Sequence, residues 1–133
     1  MLDEVIAAVR TVAQQEIMPR YLLVDRQEKA DGSLFSEADL TAQQALVEKL
    51  QKIYPGAVMA EEMSKQEQEA LWLEGEAGLW NVDPIDGTSN FLNGLPYFAI
   101  SVALMRQGKS VLGVIYNPVS DEMFYAEEGR GAF

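Results

Sequence analysis

The sequence predicts an α+β fold in which two N-terminal helices pack on one face of a mostly antiparallel sheet. Three observations carry this. Apolar residues recur at spacings of three and four in two stretches of the first 53 positions. The last third holds three apolar runs rich in β-branched and aromatic residues, joined by short turns. At 133 residues with 48% hydrophobic side chains, the chain has material for one ordinary core and not for a second complete domain.

In residues 2–17, Leu2, Ile6, Val9, Ala13 and Ile17 define one buried helical face, and Pro19 is expected to end that helix. Residues 25–33 are polar, contain Asp31-Gly32 and show no period, so they read as an exposed connection. Ser36 and Asp39 form an S-x-x-D pattern that predicts the start of a second helix. Ala42, Leu46, Leu50 and Ile53 then mark its face, and Tyr54-Pro55-Gly56 its end. Residues 57–60 read as a short strand ending at Glu61-Glu62, residues 65–73 as a solvated helix, and residues 74–78 as a loop.

Residues 80–82 read as a strand running into Asp83-Pro84, where a turn is expected because proline disfavours helical geometry at the residue before it. Residues 88–92 follow as a helical turn. Residues 98–105, 111–116 and 123–126 are the three apolar runs, separated by Gln107-Gly108-Lys109 and Asn117-Pro118, and such spacing implies an antiparallel meander. Gly129-Arg130-Gly131-Ala132-Phe133 is a turn signal with nothing after it to pair back onto the sheet, an ending that reads as a cut.

The formal charge is −11, with ten basic residues scattered along the chain, so no Lys/Arg stripe exists to neutralise a nucleic-acid backbone. Cysteine and histidine are both absent, which excludes thiol nucleophiles, Ser-His-Asp relays, disulfide frameworks and nearly every zinc or haem ligand set. Chemistry must therefore use carboxylates, hydroxyls and backbone. Asp3 and Glu4 stand where a signal peptide needs positive charge, and no apolar run approaches a membrane span, so the expected location is cytoplasmic.

The strongest local signal is Asp83-Pro84-Ile85-Asp86-Gly87-Thr88. Two carboxylates three positions apart converge if a proline-fixed turn folds them together, leaving the Ile85 carbonyl as a third hard oxygen ligand. Gly87 lets a ligand approach the backbone, and the N–H groups of Gly87 and Thr88 at a helix start face a phosphate oxygen. The same hexapeptide also suits a bland reading, with Asp83 and Asp86 as turn formers and Thr88 as a plain N-cap. Glu61-Glu62 alone reads as solvated surface, and Asp39 alone as the far half of a capping box with Ser36.

Their combination is more specific. A lone Asp, then an acidic pair, then D-P-I-D-G-T is the ordered motif of the lithium-sensitive phosphomonoesterase superfamily. The flanks resemble the inositol monophosphatase family in particular: Ser36-Glu37-Ala38-Asp39, Trp80-Asn81-Val82-Asp83, Asn90-Phe91, Leu95-Pro96, Phe98-Ala99-Ile100-Ser101-Val102-Ala103 and the terminal Gly129-Arg130-Gly131-Ala132-Phe133. The resemblance covers essentially the whole chain, residues 1–133, and about the first half of a family member. It implies the N-terminal half of a layered αβαβα fold, with the C-terminal half absent.

By that resemblance Glu61, Asp83, the Ile85 carbonyl and Asp86 are magnesium ligands, in a site of two or three ions that manganese also fits. Glu62 supports the site from behind, Thr88 hydrogen-bonded to Asp39 orients the attacking water together with Glu61, and Gly87 and Thr88 receive the phosphate. The implied reaction is hydrolysis of small phosphomonoesters, myo-inositol monophosphate foremost, with lithium sensitivity. The partners expected are a small phosphorylated substrate and, as an open alternative to a monomer, a second copy of the chain; nucleic acid and membrane are not.

The sequence also departs from the family pattern. The W-D-x-x-A-G motif of the family's second half is missing, since Trp72 precedes Leu73 and Trp80 precedes Asn81, and Ala60 replaces the usual glycine before the acidic pair. The resemblance therefore implies weak activity for the chain by itself. Three other readings stand beside it. One is another superfamily activity, such as a bisphosphate nucleotidase, a histidinol-phosphate phosphatase or a fructose-1,6-bisphosphate phosphatase. Another is a short non-catalytic binding or regulatory protein, and the last a structural domain whose acids only solubilise it.

Overall fold

The computed structural model describes residues 1–25, 33–60 and 64–133. Helix α1 (Leu2–Val12) runs into a π-helical turn (Ala13–Ile17) and then α2 (Met18–Asp25). The expected stop at Pro19 is thus corrected, because the helix continues through the proline to Asp25. Proline cannot donate to the carbonyl four residues back and its ring crowds that carbonyl. The π turn immediately before it widens the helix there, which relieves both problems.

Helix α3 (Ser33–Ile53) begins four residues earlier than the S-x-x-D pattern predicts, so Ser36 and Asp39 sit inside the helix and do not cap it. Most of the predicted connection, residues 26–32, lies outside the described residues. A capping serine does occur elsewhere: the Ser64 hydroxyl accepts from the Glu67 N–H at 3.2 Å and opens α4 (Lys65–Glu74).

Among the described residues the sheet has six strands in the order of the chain: β1 (Ala57–Ala60), β2 (Leu79–Asp86), β3 (Ala99–Arg106), β4 (Lys109–Asn117), β5 (Glu122–Glu127) and β6 (Gly131–Ala132). Among the described residues only β1 and β2 pair in parallel, joined through α4 as parallel neighbours require. The pairs from β2 to β6 are antiparallel, so the meander and the mostly antiparallel sheet are both present. The terminal segment pairs after all, since Ala132 lies opposite Ala126, and Phe133 and Tyr125 exchange backbone hydrogen bonds of 2.7 and 3.0 Å.

Alternation along the strands assigns the two faces. Trp80, Val82, Ile100, Val102, Leu104, Val114 and Tyr116 point toward the helices and form one buried cluster with Val5, Val9, Leu46 and Leu50. The opposite face carries two rows read off the register. One runs Asn81, Ala103, Gly113, Ala126, Ala132, and the other Asp83, Ser101, Ile115, Phe124.

That second face is open among the described residues, with Ile115 49% and Phe124 54% exposed. Apolar surface of this kind drives association. The chain is expected to bind a hydrophobic dye and to self-associate with rising concentration, and Phe124→Gln to reduce both. Sedimentation of a pure monomer at high concentration, with no dye signal, would contradict this.

Candidate metal centre

The site is built at the end of β2 that leads into α5 (Thr88–Leu92). Residues 83–86 are not a turn, as the proline suggested, but a continuation of the strand. In a regular strand, positions three apart face opposite sides of the sheet. Here Asp83 lies opposite Ser101 while Asp86 lies opposite Ala99, so three steps along β2 match two along β3. The extra residue is a β-bulge, and it returns Asp86 to the face that Asp83 occupies. Burial agrees, because Pro84 and Ile85 are both buried while Asp83 is half-buried and Asp86 exposed. Among the described residues the last pair of β1 with β2 is Ala60 with Val82, so Pro84 and its missing N–H lie beyond the described ladder on that side.

Asp83 and Asp86 therefore line one cleft of about 400 Å³ with Met59, Ala60, Gln68, Asn81, Ser101 and Ala103. Their oxygens are hard donors of the kind magnesium prefers. Glu61 and Glu62 lie outside the described residues. Ala60, the last described residue before them, lines the cleft and pairs with Val82, the neighbour of Asp83. Among the described residues no three acids gather as a complete cation site. The chemistry of the two aspartates present fits a hard cation, of whose shell they would be a part.

The remaining sequence-predicted residues among those described are not part of that cleft's lining. The Ile85 side chain is buried at 2% exposure, committed to the core, so only its backbone is free for the role expected of it. Asp39 is buried at 8% exposure on α3, which packs against α5. Thr88 is exposed at the first position of α5.

Gly87 precedes it at φ 108° and ψ 48°, in the left-handed region. A Cβ there would stand 2.9 Å from the Tyr97 carbonyl oxygen and 3.2 Å from Phe98, so what approaches the glycine closely is the protein's own chain. Gly87→Ala is expected to cost about 1–3 kcal/mol through strain and crowding, read from urea unfolding. An unchanged midpoint would refute this.

Three rings fix α5 from below. Phe91 and Phe98 meet edge to face at 5.3 Å, and Tyr21 of α2 lies 5.7 Å from the first and 4.8 Å from the second. The Tyr21 hydroxyl donates to the Gly94 carbonyl at 2.8 Å, and Asn90 donates to the Tyr97 carbonyl at 2.6 Å. Sequence reasoning missed Gln68, Asn81 and Ser101 as cleft residues. For Asn81 and Ser101 a signal existed in the strand alternation with Asp83, but the register that pairs Ser101 with Asp83 is tertiary.

Fold and cleft together define an α+β domain whose sheet carries a carboxylate cleft at the end of its second strand. Residues 1–133 match the model of the inositol monophosphatase family over their whole length, and the chain belongs to that family. It is 46% identical over 105 residues to an inositol-1-monophosphatase of Mesorhizobium japonicum, covering 79% of this chain and 38% of the relative. It is 39% identical over 135 residues to a fructose-1,6-bisphosphatase/inositol-1-monophosphatase of Thermotoga maritima, covering 99% of this chain and 49% of the relative. The structure resembles that of CysQ from Bacteroides thetaiotaomicron, a bacterial member of the same family, with TM-score 0.74, 30% identity and coverage of 99% of this chain and 48% of that one. The chain thus spans about half the length of these relatives or less. The resemblance read from the motifs, and the fold class, are both borne out.

Proposed function

We propose that this chain is the metal-binding half of a magnesium-dependent phosphomonoesterase acting on small phosphorylated alcohols, myo-inositol monophosphate foremost. The observation that supports it most is the bulge that turns Asp83 and Asp86 into one cleft in a member of this family. Asp83, Asp86, Glu61 and the Ile85 carbonyl would hold the ions, two or three of them, with manganese as a substitute and lithium as an inhibitor. When bound, magnesium supplies a water of lowered pKa and charge stabilisation for the leaving alkoxide.

The chain's own residues divide the rest of the work. Glu62 would keep Glu61 in place, and Glu61 and Thr88, the latter braced by Asp39, would hold a water facing the phosphorus. The N–H groups of Gly87 and Thr88 would receive phosphate oxygens. The alcohol's binding surface and one more carboxylate belong to the second half of the family pattern, so residues 1–133 alone are expected to be slow.

The test is to put residues 1–133 in place of the matching half of the Thermotoga maritima relative and assay phosphate release. Magnesium-dependent hydrolysis of myo-inositol 1-phosphate, abolished by Asp83→Asn, is expected; an inert but folded chimera would overturn the reading. That relative's name includes fructose-1,6-bisphosphatase, which favours a second reading as a sugar bisphosphatase. The relative rates on the two substrates decide between them.

A further inference from the structure

The cleft has a neutral wall that the carboxylate reading does not use. Asn81 precedes Asp83 by two residues on β2, so both side chains leave the sheet on one face, and both line the cleft. Asn81 is exposed, and its side chain makes no hydrogen bond to any described residue. Its neighbours across the sheet are Met59 on β1 and, on the other side, Ala103 and then Gly113. None of these three side chains is a strong partner for an amide, and a Cβ at Gly113 would meet nothing within 4 Å. Asparagine is a poor strand residue, and here no hydrogen bond to a described residue offsets that.

We propose that Asn81 is a positioning residue for the cation site, its side-chain oxygen accepting a hydrogen bond from a water carried by a divalent cation on Asp83 and Asp86. This rests on the cleft being a cation site. Magnesium gives up its waters reluctantly and keeps several even when carboxylates bind it. Those waters are strong donors and need acceptors at a second layer. Positions two apart in a strand are separated by about 6.6 Å. That span suits an ion about 2.1 Å from its carboxylate oxygen, a water about as far beyond it, and a hydrogen bond of about 2.8 Å to the next side chain. An apolar side chain at position 81 would leave a water hydrogen facing hydrocarbon. Partners at this remove from an ion are worth about 10–100-fold in metal affinity, and exposure sets Asn81 near the lower end.

The experiment titrates manganese(II) into the full chain and reads the free ion by its electron paramagnetic resonance signal. Asn81→Leu is expected to weaken binding about tenfold, with the thermal midpoint of the metal-free chain unchanged, and Asn81→Gln to regain most of the loss. If Asn81→Leu binds as tightly as the unaltered chain while Asp86→Asn has lost the ion, Asn81 has no such role and the cation site stands. A loss in Asn81→Leu that tracks a lower thermal midpoint and is not rescued by Asn81→Gln assigns the residue to the fold and overturns the proposal. No saturable binding to the unaltered chain, or equal binding by Asp86→Asn, overturns the cation site and the role of Asn81 with it.

Discussion

Asp86→Asn is expected to lower the affinity for magnesium by about 100-fold while leaving the fold intact. The substitution keeps the shape of the side chain and removes its charge. Unit charges at ion-pair distance attract strongly at the effective dielectric of a protein surface, and a divalent ion doubles the attraction. Asp86 is exposed, so solvent and salt recover part of that loss. Nothing in the core depends on its carboxylate. Titration calorimetry should show saturable heat for the unaltered chain and none for the variant, with superimposable thermal unfolding in the absence of metal. Equal heats from both proteins would remove Asp86 from the site and leave the acids as solubilising surface.

Phe91→Ala is expected to cost about 3–5 kcal/mol, the largest loss of stability among single changes near the site. Phe91 is fully buried and touches two other rings. Truncation loses the transfer energy, the ring contacts and the packing around the cavity left behind. The site should suffer too, because Phe91 anchors α5, and α5 places Thr88 and the chain leaving Gly87. Urea unfolding at constant slope measures the first effect, and magnesium affinity of the folded fraction the second. A midpoint within experimental error of the parent would show that α5 is held by the Tyr21 and Asn90 hydrogen bonds instead.

The elements most legible in the sequence were those governed by local periodicity. Leu46 and Leu50 marked a helix face and residues 98–105 an apolar strand, and Leu46, Leu50, Ile100, Val102 and Leu104 are all buried. What failed were boundaries where a local signal met a longer-range one. Pro19 carries a stop signal, but the packing of α2 against α3 and α5 favours continuing the helix, and a π turn makes that sterically cheap. Ser36 carries a capping signal, but the helix had already begun at Ser33.

By itself the sequence determined the chemistry available to this protein. Without cysteine or histidine it lacks thiol and imidazole chemistry, and the order Asp39, Glu61-Glu62, Asp83, Asp86 resembles the pattern of the family to which the chain belongs. Tertiary structure alone decided how two of those carboxylates meet. A proline turn and a strand bulge are equally consistent with Asp83-Pro84-Ile85-Asp86, and spacing of three puts the acids on opposite faces in one regular strand. Only the register against Ser101 and Ala99, set by the pairing of β2 with β3, inserts the extra residue that brings both to the same cleft.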